Sequence, residues 1–329
     1  MKKKVSIKGT GSCIPGRIVP NSYFEKMIDT SDEWIVTRTG IQSRRMIEPG
    51  QSMSDLATPA SERALEMAGL PPKKLDLIIV GTSTADMLSP SAACIVQHRL
   101  GAKNAVAFDV NAACPGFIYG IAVAQKFMQD GSHRHVLVVG GEIVSNRIDY
   151  KDRSTCVLFG DGAGAVVLGH SNGNKDGEIL ATLISSDGDL WELLYLPGGG
   201  SRIPPSYQML DAGLQYVKMQ GNEVYKYAIR TMVDAARQTM KSKKITSKEI
   251  DWFIPHQANI RIMEEVANRL EIPMEKVIVT IHKYGNTSAA SIPTALDEAV
   301  RAGKVKRGDL ILTNSFGAGF TWGAALFKF

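Results

Sequence analysis

The chain of 329 residues is 44% hydrophobic and 22% charged, ordinary globular proportions that exclude a disordered, collagen-like or disulfide-scaffold class. Thirty-eight Lys and Arg against 33 Asp and Glu leave +5, enough to steer an acidic partner and far from a nucleic-acid-binding composition. At roughly 100 to 200 residues per domain, the length predicts two domains or one large one.

Taken from the start, MKKK has the charge of an export leader, but polar residues and glycines fill Val5 to Pro15 where an apolar run is required, so a cytoplasmic protein is expected. LDLIIVG, HVLVVGG and GAVVLG are strand-sized and far short of the ~18 apolar residues of a membrane span. Cys13, Cys94, Cys114 and Cys156 make no CxxC or zinc-like spacing, and neither disulfides nor a metal is expected. His133 and His135 flank Arg134 without a cysteine or carboxylate cluster, and His282 reads as a turn residue. No GxGxxG, Walker or GxSxG pattern occurs, which excludes nicotinamide, ATP and serine-hydrolase chemistry.

Short β-branched runs alternate with longer helical patterns, the signature of an α/β fold with largely parallel strands. The pattern repeats. PPKKLDLIIVGT (71–82) resembles TSKEIDWFIPHQ (246–257), HRLG (98–101) resembles NRLE (268–271), and HVLVVGG near 135 pairs with DLILTNS near 309. The chain therefore reads as two pseudo-symmetric copies of one α/β unit, residues 1–172 and 173–329, joined at HSNGNKDGE (170–178). Segments 22–50 and 187–216, rich in Gly, Pro and aromatic residues, break the repeat and are expected to wall a substrate channel.

Cys114 follows the strand-like AVAFDV and precedes the apolar run PGFIYGIAVAQKFM. Pro115 at a first helical position makes Cys114 the expected N-cap of a helix buried on all sides. A thiol there feels the positive end of the helix dipole, which favours thiolate; a buried structural cysteine is the other reading. His256 follows IDWFIP and Asn286 follows the expected strand VIVTI, both at strand ends where α/β folds place ligand sites. The repeat sets Asn286 opposite Cys114.

Cys114 in NAACPGF, His256 in PHQANIRI, Asn286 in GNTSAAS, FGDGAGAVVL (159–168) and the terminal SFGAGFTWGAALFKF together resemble the β-ketoacyl-acyl carrier protein synthase III family. The resemblance covers essentially the whole chain and implies a thiolase-like fold, an αβαβα layered sandwich. Elongating synthases use Cys, His, His, and degradative thiolases carry a second cysteine in the terminal glycine loop, which here is NSFGAGF.

The resemblance implies an acyltransferase that initiates fatty acid synthesis. Cys114 takes an acyl group from a primer acyl-coenzyme A; His256 and Asn286 stabilise the enolate formed as malonyl-acyl carrier protein loses carbon dioxide. Backbone N–H groups of Cys114 and Ala318 form the oxyanion hole. Ala318 stands where the family pattern has glycine, and Pro115 is a second variation that removes an N–H the hole does not need. Trp34 and Arg153 are implied to sandwich the coenzyme A adenine, with Thr30 and Arg38 near its phosphates and Gly221 and Asn259 along the pantetheine arm.

The carrier is acidic, so a basic dock is expected. Lys226 and Arg261 match family docking positions, and Arg269 extends them. Arg230, Arg237 and Lys241 share a helical spacing with Lys226, opposite a stripe of Val224, Ala228, Met232 and Ala236. Some relatives close the acyl pocket across a homodimer interface with a bulky aromatic before the equivalent of Pro90. Ser89 there predicts a deeper pocket, taking primers longer or more branched than acetyl. No cofactor beyond the two substrates is implied. A related condensing or starter acyltransferase of secondary metabolism shares every one of these residues, and a Cys-His thioester hydrolase or a noncatalytic acyl-coenzyme A binder are the further alternatives.

Overall fold

LIIVG at Leu77–Gly81 is buried at every position, as a strand covered on both faces requires. It lies inside a layered architecture, which a computed structural model describes for residues 3–171, 173 and 176–329. The first sheet comprises β1 (Val5–Cys13), β2 (Leu77–Gly81), β3 (Val106–Val110), β4 (His135–Glu142) and β5 (Gly162–His170) in the order β1-β5-β4-β2-β3. The second comprises β6 (Glu178–Ser186), β7 (Trp252–Pro255), β8 (Leu310–Gly317) and β9 (Thr321–Lys328) in the order β7-β8-β9-β6. In the first sheet β2 runs parallel to both β4 and β3, in the second β8 runs parallel to β7, and the remaining pairings are antiparallel.

The two orders superpose: β6, β9, β8 and β7 repeat β1, β5, β4 and β2. Where β3 should recur the chain makes a single bridge, Phe253 to Val277, so the expected strand VIVTI is not formed. The Gln257 side chain replaces the ladder. Its amide donates to Ile278 O at 3.1 Å, and its carbonyl accepts from Thr280 N at 2.7 Å and Ile281 N at 3.2 Å. His282 consequently sits in a one-turn helix, Ile281–Tyr284.

The principal helices are α1 (Asp32–Thr39), α2 (Met53–Ala68), α3 (Ala92–Leu100), α4 (Gly116–Met128), α5 (Gly221–Ser242), α6 (Ile260–Arg269) and α7 (Ser291–Arg301). α4 and α7 lie between the sheets: α7 packs on β1 and β5, α4 on β4, β6 and β9. The helices α2 and α3 cover the far face of the first sheet and α5 that of the second, giving five layers. As expected for a helix buried on all sides, Phe117, Ile118, Ile121 and Ala124 are inaccessible or nearly so. Tyr119 reaches out of this layer to donate to Ser185 O at 2.7 Å.

Segment 22–50 folds as α1 with a ribbon pairing Arg17–Pro20 to Ser43–Met46, and 187–216 as short helical turns beside a second ribbon. The junction read at 170–178 includes Asn172, Asn174 and Lys175, and the opening MKKK includes Met1 and Lys2; these five lie outside the described residues. All four cysteines are free thiols, and among the described residues no helix is long and apolar enough to cross a membrane.

Candidate active site

The end of β3 leads into a tight turn at Ala113, where φ is +50° and the Gly116 N–H donates to Ala113 O at 2.8 Å. This bond keeps Pro115 in the turn, so α4 begins at Gly116 with Pro115 as its N-cap, one residue later than the sequence suggests. Cys114 is thus presented just ahead of the helix N-terminus and is buried. The terminal β8–β9 hairpin closes on it from the other half. At Gly317 a Cβ would stand 2.8 Å from Cys114 N and 2.7 Å from Pro115 Cδ, so only glycine lets the two backbones approach. Thr321 then ties the hairpin down, its hydroxyl donating at 2.9 Å to Ala112 O or Ala318 O.

Asn286 is held at the start of the FGDGAGAVVL segment: its N–H donates at 2.8 Å to the O of Leu158, the residue just before that segment, and its carbonyl accepts from Gly160 N at 3.0 Å. Its side-chain Oδ1 accepts from Ser288 N at 2.8 Å, which leaves the Nδ2 amide to donate elsewhere. Two residues on, the Ser288 hydroxyl donates to Cys114 Sγ at 3.3 Å. The repeat therefore does bring the Cys114 and Asn286 turns together.

His256 enters as β7 ends, its N–H on Asn314 O at 2.9 Å and its ring edge-on to Phe316 at 5.7 Å between centroids. Phe316 immediately precedes Gly317, so the imidazole reaches the same hairpin that packs on Cys114. Its Nδ1 lies 2.7 Å from Ser291 Oγ. Ser291 Oγ accepts from Gln257 N at 3.4 Å, so its own proton is free for Nδ1 and the other imidazole proton is assigned to Nε2. Nε2 is buried and has no partner. A buried unpartnered donor is costly, and it suits a group that bonds to a substrate oxygen.

Burial pushes the Cys114 thiol up to about 12; the Ser288 hydrogen bond works against it and the Glu142 charge with it. The thiolate expected from the helix terminus is therefore not the resting state, because loss of solvent outweighs the dipole. Burial also lowers His256 to about 3. The resting pair is a neutral thiol and a neutral imidazole. Three polar residues around them were not singled out in the sequence. Ser288 and Ser291 both lie in the GNTSAAS segment and resemble turn residues; Glu142 is legible only as a charge ending the apolar run HVLVVGGE.

Trp34, Arg38, Arg153 and Asn259 form a second group. Both guanidinium groups lie over the Trp34 ring, Arg153 at 4.8 Å and Arg38 at 5.1 Å from its centroid. Arg153 also donates to Asp29 O at 2.7 Å. Asn259 caps α6 through Arg261 N at 2.9 Å and donates to Arg38 O at 3.0 Å. The neighbouring Thr30 hydroxyl is buried without a partner. Gly221 is exposed at the start of α5.

Lys226, Arg261 and Arg269 are exposed, as are Arg230, Arg237 and Lys241, while Val224, Ala228, Met232 and Ala236 are buried. Lys226 pairs with Glu223 at 2.8 Å and Arg269 with Glu265 at 2.7 Å, each within its own helix. Ser89 lies on an exposed loop beside Leu88, whose surface is 94% accessible. Among the described residues no three His, Cys, Asp or Glu are grouped to hold a metal.

A two-sheet thiolase-like fold with a cysteine ahead of its central helix defines the class: a condensing acyltransferase. The sequence model of 3-oxoacyl-[acyl-carrier-protein] synthase III matches residues 108–188, and that of its C-terminal region matches 240–329. The β-ketoacyl-[acyl-carrier-protein] synthase III of Caldanaerobacter subterraneus subsp. tengcongensis is 51% identical over 99% of this chain and 98% of its own. That of Clostridioides difficile is 48% identical over 100% and 99%. Among solved structures, the Aquifex aeolicus 3-oxoacyl-[acyl-carrier-protein] synthase III superposes with a TM-score of 0.92 at 47% identity, covering 99% of this chain and 100% of that one. The chain belongs to the β-ketoacyl-acyl carrier protein synthase III family.

Proposed function

We propose that the chain joins a primer acyl-coenzyme A to malonyl-acyl carrier protein by decarboxylative condensation, the initiating step of fatty acid synthesis. The observation that carries this reading is the junction of the halves at Cys114: the Ser288 hydroxyl on its sulfur, the Asn286 amide two residues away, and the Gly317–Ala318 backbone against its N–H side.

Cys114 Sγ attacks the primer thioester carbonyl, coenzyme A leaves as its thiolate, and an acyl-Cys114 thioester remains. The carbonyl oxygen, anionic in the tetrahedral intermediate, takes the N–H groups of Cys114 and Ala318. Malonyl-carrier then loses carbon dioxide, and the resulting enolate oxygen accepts from His256 Nε2 and Asn286 Nδ2. Such a donor is worth about 3 to 4 kcal/mol in the transition state. The carbanion attacks acyl-Cys114 and releases a β-ketoacyl chain on the carrier, with the thiolate as leaving group. Neutral His256 can serve in this step, because with Nδ1 on the Ser291 hydroxyl its proton is on Nε2 and available to donate.

Trp34, Arg38, Arg153, Thr30, Asn259 and Gly221 receive coenzyme A in this reading. Arg153 must lift off Trp34 for adenine to enter, and the flat indole and guanidinium surfaces are suited to hold it. Lys226, Arg261 and Arg269 meet the acidic carrier. Residues 1–172 supply the nucleophile and 173–329 its two donors. A homodimer, with Ser89 at the end of the partner's acyl pocket and leaving it deep, is supported by the exposed Leu88 and by the sheet-edge strand β3, where Val106 is 56% accessible. No resident cofactor is used, and the protein acts in the cytoplasm.

A second reading, priming in a specialised pathway, draws on one comparison: the priming β-ketosynthase of a polyketide pathway superposes with a TM-score of 0.91 at 37% identity over 99% of this chain and 97% of that one. Condensation of acetyl-, butyryl-, isobutyryl- and octanoyl-coenzyme A with malonyl-carrier, with Cys114→Ser as control, tests both. A β-ketoacyl-carrier product that vanishes in the variant supports the proposal, and labelling of Cys114 without condensation rejects the carrier as acceptor.

A further inference from the structure

Glu142 ends β4 fully buried, where a lone carboxylate is expensive. It is held by a dedicated shell. Oε1 accepts from Ser83 N at 2.9 Å and Ser83 Oγ at 3.0 Å and Oε2 accepts from the Thr84 hydroxyl, while the Ser288 hydroxyl lies near enough to lower the carboxyl's proton affinity. Thr84 is itself fixed by Ile143 N at 2.8 Å. Ser288 has both groups within reach: its O–H donates to Cys114 Sγ at 3.3 Å, and the Glu142 carboxylate acts on the hydroxyl and on the thiol. A hydroxyl has one proton and two lone pairs, so when it donates to Glu142 it can accept from the thiol. Its φ of +50° aims it there at some backbone cost.

We propose that Ser288 and Glu142 form a proton relay that takes the Cys114 proton on acylation, stores it while the acyl-enzyme lives, and returns it to the sulfur when the product leaves. The inference rests on Cys114 being the acylated nucleophile. In the first half-reaction the S–H bond breaks as Sγ attacks; its proton passes to Ser288 Oγ, whose own proton passes to Glu142. Coenzyme A departs as thiolate and is protonated by solvent. In the second, malonyl carboxylate leaves as carbon dioxide, its electron pair forms the new C–C bond, and the expelled Cys114 thiolate takes the proton back through Ser288. Each half conserves charge, the single negative charge moving from Glu142 to the coenzyme A sulfur and from the malonyl carboxylate to Glu142. Ser288 touches the reacting sulfur; Glu142 is a positioning residue acting through it.

The other ionisable groups on the packed elements are engaged elsewhere. Asp161, before β5, accepts from Ile47 N and Ser145. Asp86 accepts from Ser52 and Ser54, and His256 turns its Nδ1 to Ser291. Burial raises the Glu142 carboxyl to about 6, which brings it into range of a proton that a fully acidic group could not hold.

The test is the pH dependence, from pH 5 to 10, of Cys114 alkylation by iodoacetamide and of its acylation by acyl-coenzyme A, in the full chain and in Glu142→Gln and Ser288→Ala. Wild type is expected to show two steps with a plateau between them, the macroscopic behaviour of a coupled pair. Each variant is expected to show one step, rising about tenfold per pH unit to the thiol's own titration, with acylation at pH 7 down by about 10²-fold. A merely structural role lowers the rate without changing the profile. A single-step wild type, or variants that keep the plateau, overturns the relay; Ser288→Ala decides alone should Glu142→Gln fail to fold. Two-step alkylation without acylation in wild type rejects the acyl-enzyme reading and with it the relay's part in catalysis, leaving only the proton coupling of Cys114 to Glu142.

Discussion

Gly317→Ala places a methyl group where the two halves of the molecule meet at the nucleophile. The new Cβ would stand 2.7 Å from Pro115 Cδ and 2.8 Å from Cys114 N, so the hairpin must retreat by about 0.7 Å to reach an ordinary 3.4 Å contact. Neither neighbour can yield alone, since one is a proline ring and the other backbone. Overpacking of this size costs about 1 to 3 kcal/mol, or a fall of several degrees in Tm. The same retreat carries away the Ala318 N–H, the oxyanion donor of the proposed mechanism, and losing one such donor costs about 10²- to 10³-fold in rate. Acylation of Cys114 should therefore fall much further than stability does. Thermal unfolding and the single-turnover acylation rate measure the two effects, with Gly16→Ala, whose Cβ meets nothing within 4 Å, as the neutral control. A Gly317→Ala protein that acylates within about threefold of wild type refutes the argument that this contact places the donor.

Asn286→Ala should leave acylation intact and lower condensation by about 10²- to 10³-fold, which separate assays of the two half-reactions will show. Trp34→Ala should raise KM for acyl-coenzyme A with kcat little changed, by the roughly 0.5 to 2 kcal/mol of one stacking contact. Ser89→Phe should shift primer preference toward acetyl, read from kcat/KM across the primer panel. His256 falls from 6.5 unfolded to about 3 folded, so the unfolded chain binds more protons between those values. Its contribution to stability is present above pH 6.5 and lost as pH falls toward 3, with a slope of up to about 1.4 kcal/mol per unit. Glu142, raised from 4.5 to about 6, acts with the opposite sign and loses its contribution as pH rises through that window. Considering these two groups, urea midpoints from pH 4.5 to 7.5 should fall with rising pH in His256→Gln, where the Glu142 contribution acts alone, and rise more steeply than wild type in Glu142→Gln.

The repeat was the most legible feature of the chain, because matching strands such as LDLIIVG and IDWFIP keep both their apolar character and their spacing. It sets Asn286 opposite Cys114, and in the fold their turns meet through the Ser288 hydroxyl on the Cys114 sulfur. The mistaken strand VIVTI shows where that reasoning stops: β-branched residues favour extension, but the Gln257 amide, distant in sequence, captures the backbone groups that a neighbouring strand would need. The thiol's charge state was misread for a similar reason. Helix position is local and visible in sequence, whereas burial is a property of the closed molecule. Ser288 and Glu142 were hidden because a serine in a turn and a glutamate after a strand are commonplace until folding sets them around one sulfur.

The most direct test of the account is a single-turnover chase. Enzyme acylated from isotope-labelled acyl-coenzyme A is freed of excess primer and mixed with malonyl-carrier, while the Cys114 peptide, the carrier and released carbon dioxide are followed together. The account predicts that label leaves Cys114 and arrives on the carrier as a β-ketoacyl chain, one carbon dioxide per acyl group transferred. Label lost from Cys114 as free acid, without carbon dioxide, contradicts it.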